Sequence, residues 1–600
     1  MTIIIGVIMK NVPLYSLLAC ISVMLAVVPA MGRGQAPVLA RVEAVDRVDR
    51  LGLPVYAHLL DAGGQAYAIV VATEAELEQA GWPFEVLALD PDIAALSIAI
   101  ERLPGALARG RKQIDVLHDD GCRLIVTPTA EQKAELMDMG LAIIRISTPM
   151  VWPSDQAGWS SLRACSAITA NPTISNLMHQ VYQDTVSNLA AKLSGETPAM
   201  IGGEPYTILT RGTSSGTPIQ KANQFVYEQM QAAGLEVSYQ NWDWSWSNAA
   251  YSGQNVVGVK RGATLSNEVV LVTAHIDNMP NDGTRAPGAD DNASGCVGVM
   301  VAASVLKGCS SERTIRFICF GGEEQGLLGS DAYARSIQDA GETNVTVFNM
   351  DMISYSTIAS RELSLHTRLA TAPGYAADMA VATTFQNVLS TYGLDDRLTL
   401  AIQSDGVEWS DHYSFWQKGY PGVLVIECDT NFNPNYHKDS DVLANINMEY
   451  FTDFIRASVG TVAHLAGVPA PPATTGPLIT ANGLTGDVRL NSGDAVAIAI
   501  QMMNIEPYLG VEVDWWVVAL AGSSWYYLNN SVQWTQEDNW LNWRPVNQGP
   551  LFNLPATDVL NTTDLSTGSY TIWFAVDYPM DGILKDGQII WLDSVNVNIQ

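Results

Sequence analysis

The 600-residue chain has little charge, least of all positive charge, few histidines and no closely paired cysteines. Only 16% of residues are charged, and 32 lysines and arginines face 62 aspartates and glutamates, a formal net charge of -30 at pH 7. A chain this acidic has no general attraction for phosphate backbones or anionic lipid, which argues against nucleic acid as a partner. Its 48% hydrophobic content sets it apart from a disordered acidic tail and allows large cores. The seven cysteines include no CxxC pair, which disfavours a thiolate zinc knuckle or a thioredoxin-like site. Cys309 and Cys319 are near enough in sequence to be a candidate disulfide. With eight histidines, the question is whether any of them meets the surplus carboxylates.

One apolar run stands out. Lys10 precedes Val12 to Val28, which ends at Val28-Pro29-Ala30, a small-residue cleavage signal. Residues 1–30 therefore read as a secretory signal peptide, and the mature chain as secreted or periplasmic, with no stable membrane insertion after signal removal. No later stretch approaches ~18 uninterrupted apolar residues.

Residues 31–150 hold a weak repeat. Ala68 to Gly81 and Arg123 to Gly140 each read as a strand and then a helix closing on glycine. Each is followed by another apolar strand (Phe84 to Leu87, Ala142 to Ile146). Such α+β units behind a signal peptide suggest a prosegment; a permanent accessory domain is the alternative. From 165 to 468, apolar strands alternate with helices, the pattern of an α/β domain with a mostly parallel sheet flanked by helices. Ligands in such sheets sit at the carboxyl ends of the strands. Residues 469–477 are a linker by composition. Residues 478–600 carry eight of the sixteen tryptophans and short alternating runs, which point to an all-β sandwich. Its tryptophans fill a core or, where exposed, contact a surface or polysaccharide. Asp577 to Asp586 offers several carboxylates near Gly582, but Pro579 and Met580 break EF-hand spacing.

Five segments of the α/β region place polar groups at apparent strand ends. They are Ala274-His275-Ile-Asp277, Gly288-Ala-Asp290-Asp291-Asn292-Ala-Ser-Gly295, Gly321-Gly-Glu323-Glu324-Gln-Gly, Asn349-Met-Asp351 and Tyr436-His437-Lys-Asp-Ser-Asp441. Each alone has an ordinary structural reading, such as a helix cap or a turn. Two adjacent glutamates closing an apolar strand are nevertheless costly unless a cation or donor meets them. Imidazole and carboxylate donors without cysteine suit zinc in a hydrolytic site better than in a structural one.

In order and spacing, these segments resemble the co-catalytic zinc aminopeptidases of metallopeptidase family 28, which include leucine aminopeptidases, aminopeptidase S and glutamate carboxypeptidase. The resemblance covers roughly residues 165–468. It implies two Zn2+, with His275 and Asp351 on one, Glu324 and His437 on the other, and Asp291 bridging. It makes Glu323 the general base, working on a metal-bridging hydroxide, and has Asp277 support His275 from behind, with Asp441 in a like place near His437. His412 matches a further family segment as structural support. The implied function is an exported aminopeptidase acting on peptides. A carboxypeptidase, a one-zinc glutaminyl cyclase of the same fold, or a non-catalytic peptidase-like binding protein are the alternatives. Some relatives carry a disulfide-tethered loop with a tyrosine; Asp405-Gly-Val-Glu-Trp409 has neither.

Overall fold

The computed structural model describes residues 36–43, 51–102, 105–152, 168–246, 249–279, 285–357, 361–469, 476–503, 505, 509–584 and 589–600. The signal-peptide segment and most of the linker lie outside these residues. No helix among the described residues is long and apolar enough to cross a membrane. The chain divides into two compact units, 1–150 and 151–600.

The first unit explains the sequence repeat. Its two four-stranded sheets are antiparallel throughout. In one, Ala66–Ala72 and Phe84–Leu89 flank Val38–Glu43; in the other, Arg123–Val126 and Leu141–Arg145 flank Ser97–Glu101. Each flanking pair is joined through a short helix, so each unit is a β-α-β crossover split by a third strand. Both helices open on a capping box, Thr73 with Glu76 and Thr129 with Gln132. The reciprocal bonds satisfy two amide donors that the first turn leaves open.

In the second unit the central sheet has eight strands: β1 (Glu236–Trp246), β2 (Ala249–Lys260), β3 (Leu265–His275), β4 (Arg313–Phe320), β5 (Val345–Met350), β6 (Glu362–His366), β7 (Thr399–Gln403) and β8 (Gly422–Glu427). Their order is β1-β2-β4-β3-β5-β8-β6-β7. The expected mostly parallel sheet is in fact mixed. β3 pairs parallel with β4 and β5, β5 with β8, and β6 with β7, whereas β1/β2, β2/β4 and β6/β8 are antiparallel. The reason is connection length. Two residues separate β1 from β2, and a parallel neighbour needs a crossover of a dozen residues or more. Among the described residues no helix intervenes between β5 and β6 either.

The parallel centre, β4-β3-β5-β8, positions the site. Every residue of β5 and β8 is buried, as expected of strands covered on both faces. One covering element is helix α1 (Ala293–Leu306), in which every residue but Ser304 is buried. A helix apolar on all sides belongs inside a core rather than on a surface. Asn292 caps it, its side chain accepting the Gly295 N–H at 2.8 Å. A Cβ at Gly295 would stand 2.4 Å from that same oxygen, 2.5 Å from the Met350 carbonyl oxygen and 2.9 Å from the Ala274 Cβ. Two of these contacts belong to backbone or to a short side chain that cannot swing away. Gly295→Ala is therefore expected to cost about 2–3 kcal/mol in a denaturant melt; an unchanged midpoint would contradict this packing.

The candidate Cys309–Cys319 disulfide is absent: Cys296, Cys309, Cys319 and Cys428 are free thiols. Cys309 follows α1 and donates to the Leu306 carbonyl. β4 then carries the chain away before Cys319 is reached. Six strand residues span about 20 Å, far beyond the reach of a disulfide.

Residues 476–599 form a three-stranded and a seven-stranded sheet. Ile479, Ile498, Trp515, Phe574 and Val597 belong to the buried cluster of this region. On the seven-stranded sheet, Trp516 and Ala575 join Trp543 in a second cluster, packed with Trp525 and Trp573. Several of the tryptophans are thus core residues, while Trp540 is 47% exposed.

Candidate metal centre

Strand order builds the site. β3 lies between β4 and β5, with His275 level with Phe320 and Thr273 level with Asn349. The residues just past these ends are therefore neighbours: His275 closes β3, Glu323 and Glu324 follow β4, and Asp351 follows β5. Asp291 comes from the turn before α1, and His437 from the loop beyond β8. All six side chains are buried.

Their geometry is specific. His437 Nε2 is 3.0 Å from Asp291 Oδ2 and 3.1 Å from Glu324 Oε2. His275 Nε2 is 3.4 Å from Asp291 Oδ1 and 3.3 Å from Asp351 Oδ1. Asp291 thus turns one carboxylate oxygen to each imidazole. His275, Asp291 and Glu324 offer ligand atoms within 4.8 Å of one another. Glu323 stands further off, its Oε2 4.0 Å from His275 Nε2.

A supporting layer holds these groups in place. The Asp277 carboxylate accepts the N–H groups of Glu323 and Glu324, both at 3.2 Å, and the Thr213 hydroxyl at 2.8 Å. Behind His275, the close contact to Nδ1 is the Asp277 carbonyl at 3.1 Å; the Asp277 carboxylate lies 3.8 Å away. Asp441 accepts the N–H groups of Asp290 and Asp291, fixing the Asp291 backbone rather than the His437 ring. The face of that ring is covered by Tyr436, stacked at 3.7 Å between centroids. His412 bonds the Val407 carbonyl at 2.9 Å, and burial pushes it down to about 3, so it stays neutral.

The electrostatics are those of a cation site. Burial alone would lower both imidazoles, yet Asp351 and Glu323 hold His275 well above its usual range, and Glu324 and Asp291 raise His437 to about 9. Burial would raise Asp291, but the two imidazoles hold it well below the usual carboxylate range. Both Glu324 oxygens and His437 Nε2 are buried without a hydrogen bond of their own. Buried polar atoms left so are costly, and a divalent cation with oxygen and imidazole preferences satisfies them together. The donor set therefore fits such ions. A metal needs neutral imidazoles, so loading at pH 7 must displace the protons of His275 and His437. Calorimetry in buffers of different ionisation heat is expected to show release of about two protons, and affinity that weakens as pH falls below the raised pKa values. Metal uptake without proton release would contradict this.

A second histidine–carboxylate group lies at the ends of β6 and β7, unsignalled by any spacing in the sequence. His366 Nδ1 is 3.0 Å from Asp405, and Nε2 is 3.3 Å from Asp429. Here the carboxylates take opposite ring nitrogens instead of converging on one. An imidazolium donating twice satisfies that arrangement. Burial would lower His366, but the two aspartates raise it to about 9. Arg211, also missed in the sequence, is fully buried and donates to the carbonyls of Leu193, Ile276, Pro287 and Gly288. It anchors the chain on both sides of the site.

Paired imidazoles bridged by one carboxylate, with an extra glutamate standing beside them, define a candidate two-cation hydrolytic centre. The sequence agrees: residues 255–462 match the model of peptidase family M28. Leucine aminopeptidase 1 of Trichophyton equinum is 31% identical over 247 residues, covering 37% of this chain and 63% of that protein. Aminopeptidase YwaD of Bacillus subtilis (strain 168) is 32% identical over 203 residues, covering 33% of this chain and 41% of that protein. The chain thus spans less than two thirds of the length of either relative. Among solved structures, the Legionella pneumophila LapA aminopeptidase superposes with a TM-score of 0.48 at 18% identity, covering 62% of this chain and 98% of that one.

Proposed function

We propose that the chain is an exported zinc aminopeptidase that removes N-terminal residues from peptides. The observation that carries this reading is Asp291, with one oxygen toward His275 and the other toward His437. His275 and Asp351 would hold one zinc, Glu324 and His437 the other, and Asp291 both. Zinc there supplies a water of lowered pKa and polarisation of the scissile carbonyl. Glu323, which stands off from the imidazoles, takes the proton of the attacking water and passes it to the departing amine. Asp277 sets the positions of Glu323 and Glu324 through their backbone N–H groups. Support for peptide substrates comes from the aminopeptidase names of the relatives. Residues 1–30 serve export, and residues 31–150 form a prosegment, readable from the N-terminal sequence of secreted material.

Peptides with free and with acetylated N-termini, analysed by mass spectrometry, test the reading. Stepwise loss of N-terminal residues from the free peptides alone is expected. Shortening from the carboxyl end, or cyclisation of N-terminal glutamine without cleavage, would replace it with a carboxypeptidase or a cyclase.

A further inference from the structure

The C-terminal region buries two aspartates directly opposite each other. β9 (Glu512–Ala521), β10 (Asn547–Pro550) and β11 (Gly568–Asp577) lie side by side, with β9 in the middle. Gln548, Asp514 and Asp577 form one row across them. Both aspartates are 0% exposed. Like charges directly opposed on a sheet repel, and exclusion of water removes the screening that would soften this.

Asp514 is fully served. Its Oδ1 accepts Gln548 Nε2–H at 2.7 Å and its Oδ2 accepts the Gly582 N–H at 2.6 Å, from the loop that follows β11. Asp577 is served on one side only. Its Oδ1 accepts Trp516 Nε1–H at 2.9 Å, while Oδ2 is buried without a hydrogen-bond partner. Among the described residues, the other charged groups that act most on Asp577 are acidic, Asp514 and Asp581, and neither can neutralise it. Asp581 lies in the same loop and turns an oxygen to the Ile583 N–H.

A buried water could bond the orphan oxygen, but only a proton or a cation also answers the opposed charge. Burial, with Asp514 and Asp581 adding to it, raises Asp577 to about 6, which leaves it mostly ionised at pH 7. A proton therefore does not cover it. The oxygens facing each other here are carboxylates, with no imidazole or thiolate among the described groups around them. Such a set suits a hard ion that accepts many oxygens at flexible angles.

We propose that Asp577 and Asp514, beneath the loop after β11, hold a divalent cation of the calcium class, separate from the hydrolytic centre. This site does not depend on the peptidase reading.

Terbium, a luminescent stand-in for calcium, tests the site in the full chain already loaded with zinc. The Trp516 indole bonds Asp577, so light absorbed by tryptophan should reach an ion bound there. Saturable sensitised emission that calcium displaces is expected. Calcium is also expected to raise the apparent melting temperature by about 5 °C at tenfold excess over its dissociation constant. Asp577→Asn should abolish both responses and leave aminoacyl hydrolysis by the zinc-loaded chain unchanged. Absence of emission and of a melting shift in the unaltered chain would overturn the proposal, as would an Asp577→Asn chain that keeps both. The unaltered chain decides the matter even if the variant folds poorly.

Discussion

Glu323→Ala is expected to keep its metals and lose about 10³-fold in kcat with little change in KM. The metals stay because the close carboxylate contacts to the two imidazoles, at 3.0–3.4 Å, come from Asp291, Glu324 and Asp351. The Glu323 backbone also keeps its bond to Asp277, since that bond uses the N–H and not the side chain. What disappears is the proposed general base, and such a group contributes about 10²- to 10⁴-fold. A loss confined to kcat is the mark of an interaction made in the transition state only. Glu324→Ala, one residue on, should do the opposite and lose metal. Metal analysis with steady-state kinetics on the two variants separates the roles, and full activity in Glu323→Ala would remove Glu323 from the mechanism.

Arg211→Met is expected to cost about 3–5 kcal/mol of stability. The guanidinium is wholly buried, and its donors reach four carbonyls between 2.7 and 3.0 Å. Methionine matches the length of the stem and supplies no donors; Gly288 keeps the Ala293 N–H at 3.1 Å, while each carbonyl left without a donor costs roughly 1–3 kcal/mol, less whatever entering water recovers. Lysine should restore only part, because an ammonium is a point donor and cannot span carbonyls on several chain segments. Ile276 directly follows His275, and Gly288 lies three residues before Asp291. Weaker metal retention should therefore accompany the lost stability. Urea melts are expected to show a lowered midpoint at unchanged slope; a cost below about 1 kcal/mol would show that Arg211 is dispensable as an anchor.

These two residues also mark where the sequence is informative. Glu323, Glu324, His275 and Asp351 are legible because each interrupts or closes an apolar run, and a polar residue at the end of a buried strand is a visible anomaly. Asp291 and His437 are legible through their fixed neighbours, Asp-Asn-Ala-Ser-Gly and His-x-x-x-Asp. Arg211 has no such frame: it sits in an irregular segment, and its partners lie 18 to 77 residues away. His366 ends a short strand like many others, and its two aspartates come from separate loops. The reversed strands escaped for a related reason, since an apolar run shows that a strand is buried but not which way it points. The opposed Asp514 and Asp577 became visible only through register, although the carboxylates around Gly582 had stood out in the sequence.

The direct test of the paired-cation centre is a zinc titration of the metal-free chain, with hydrolysis of an aminoacyl-nitroanilide followed at each addition. Activity should rise and reach its plateau at two zinc ions per chain, and Asp291→Ala, which removes the carboxylate facing both imidazoles, should bind neither tightly. A plateau at one ion per chain, or an Asp291→Ala chain that still reaches full activity at two, would contradict a centre in which one carboxylate joins two metals.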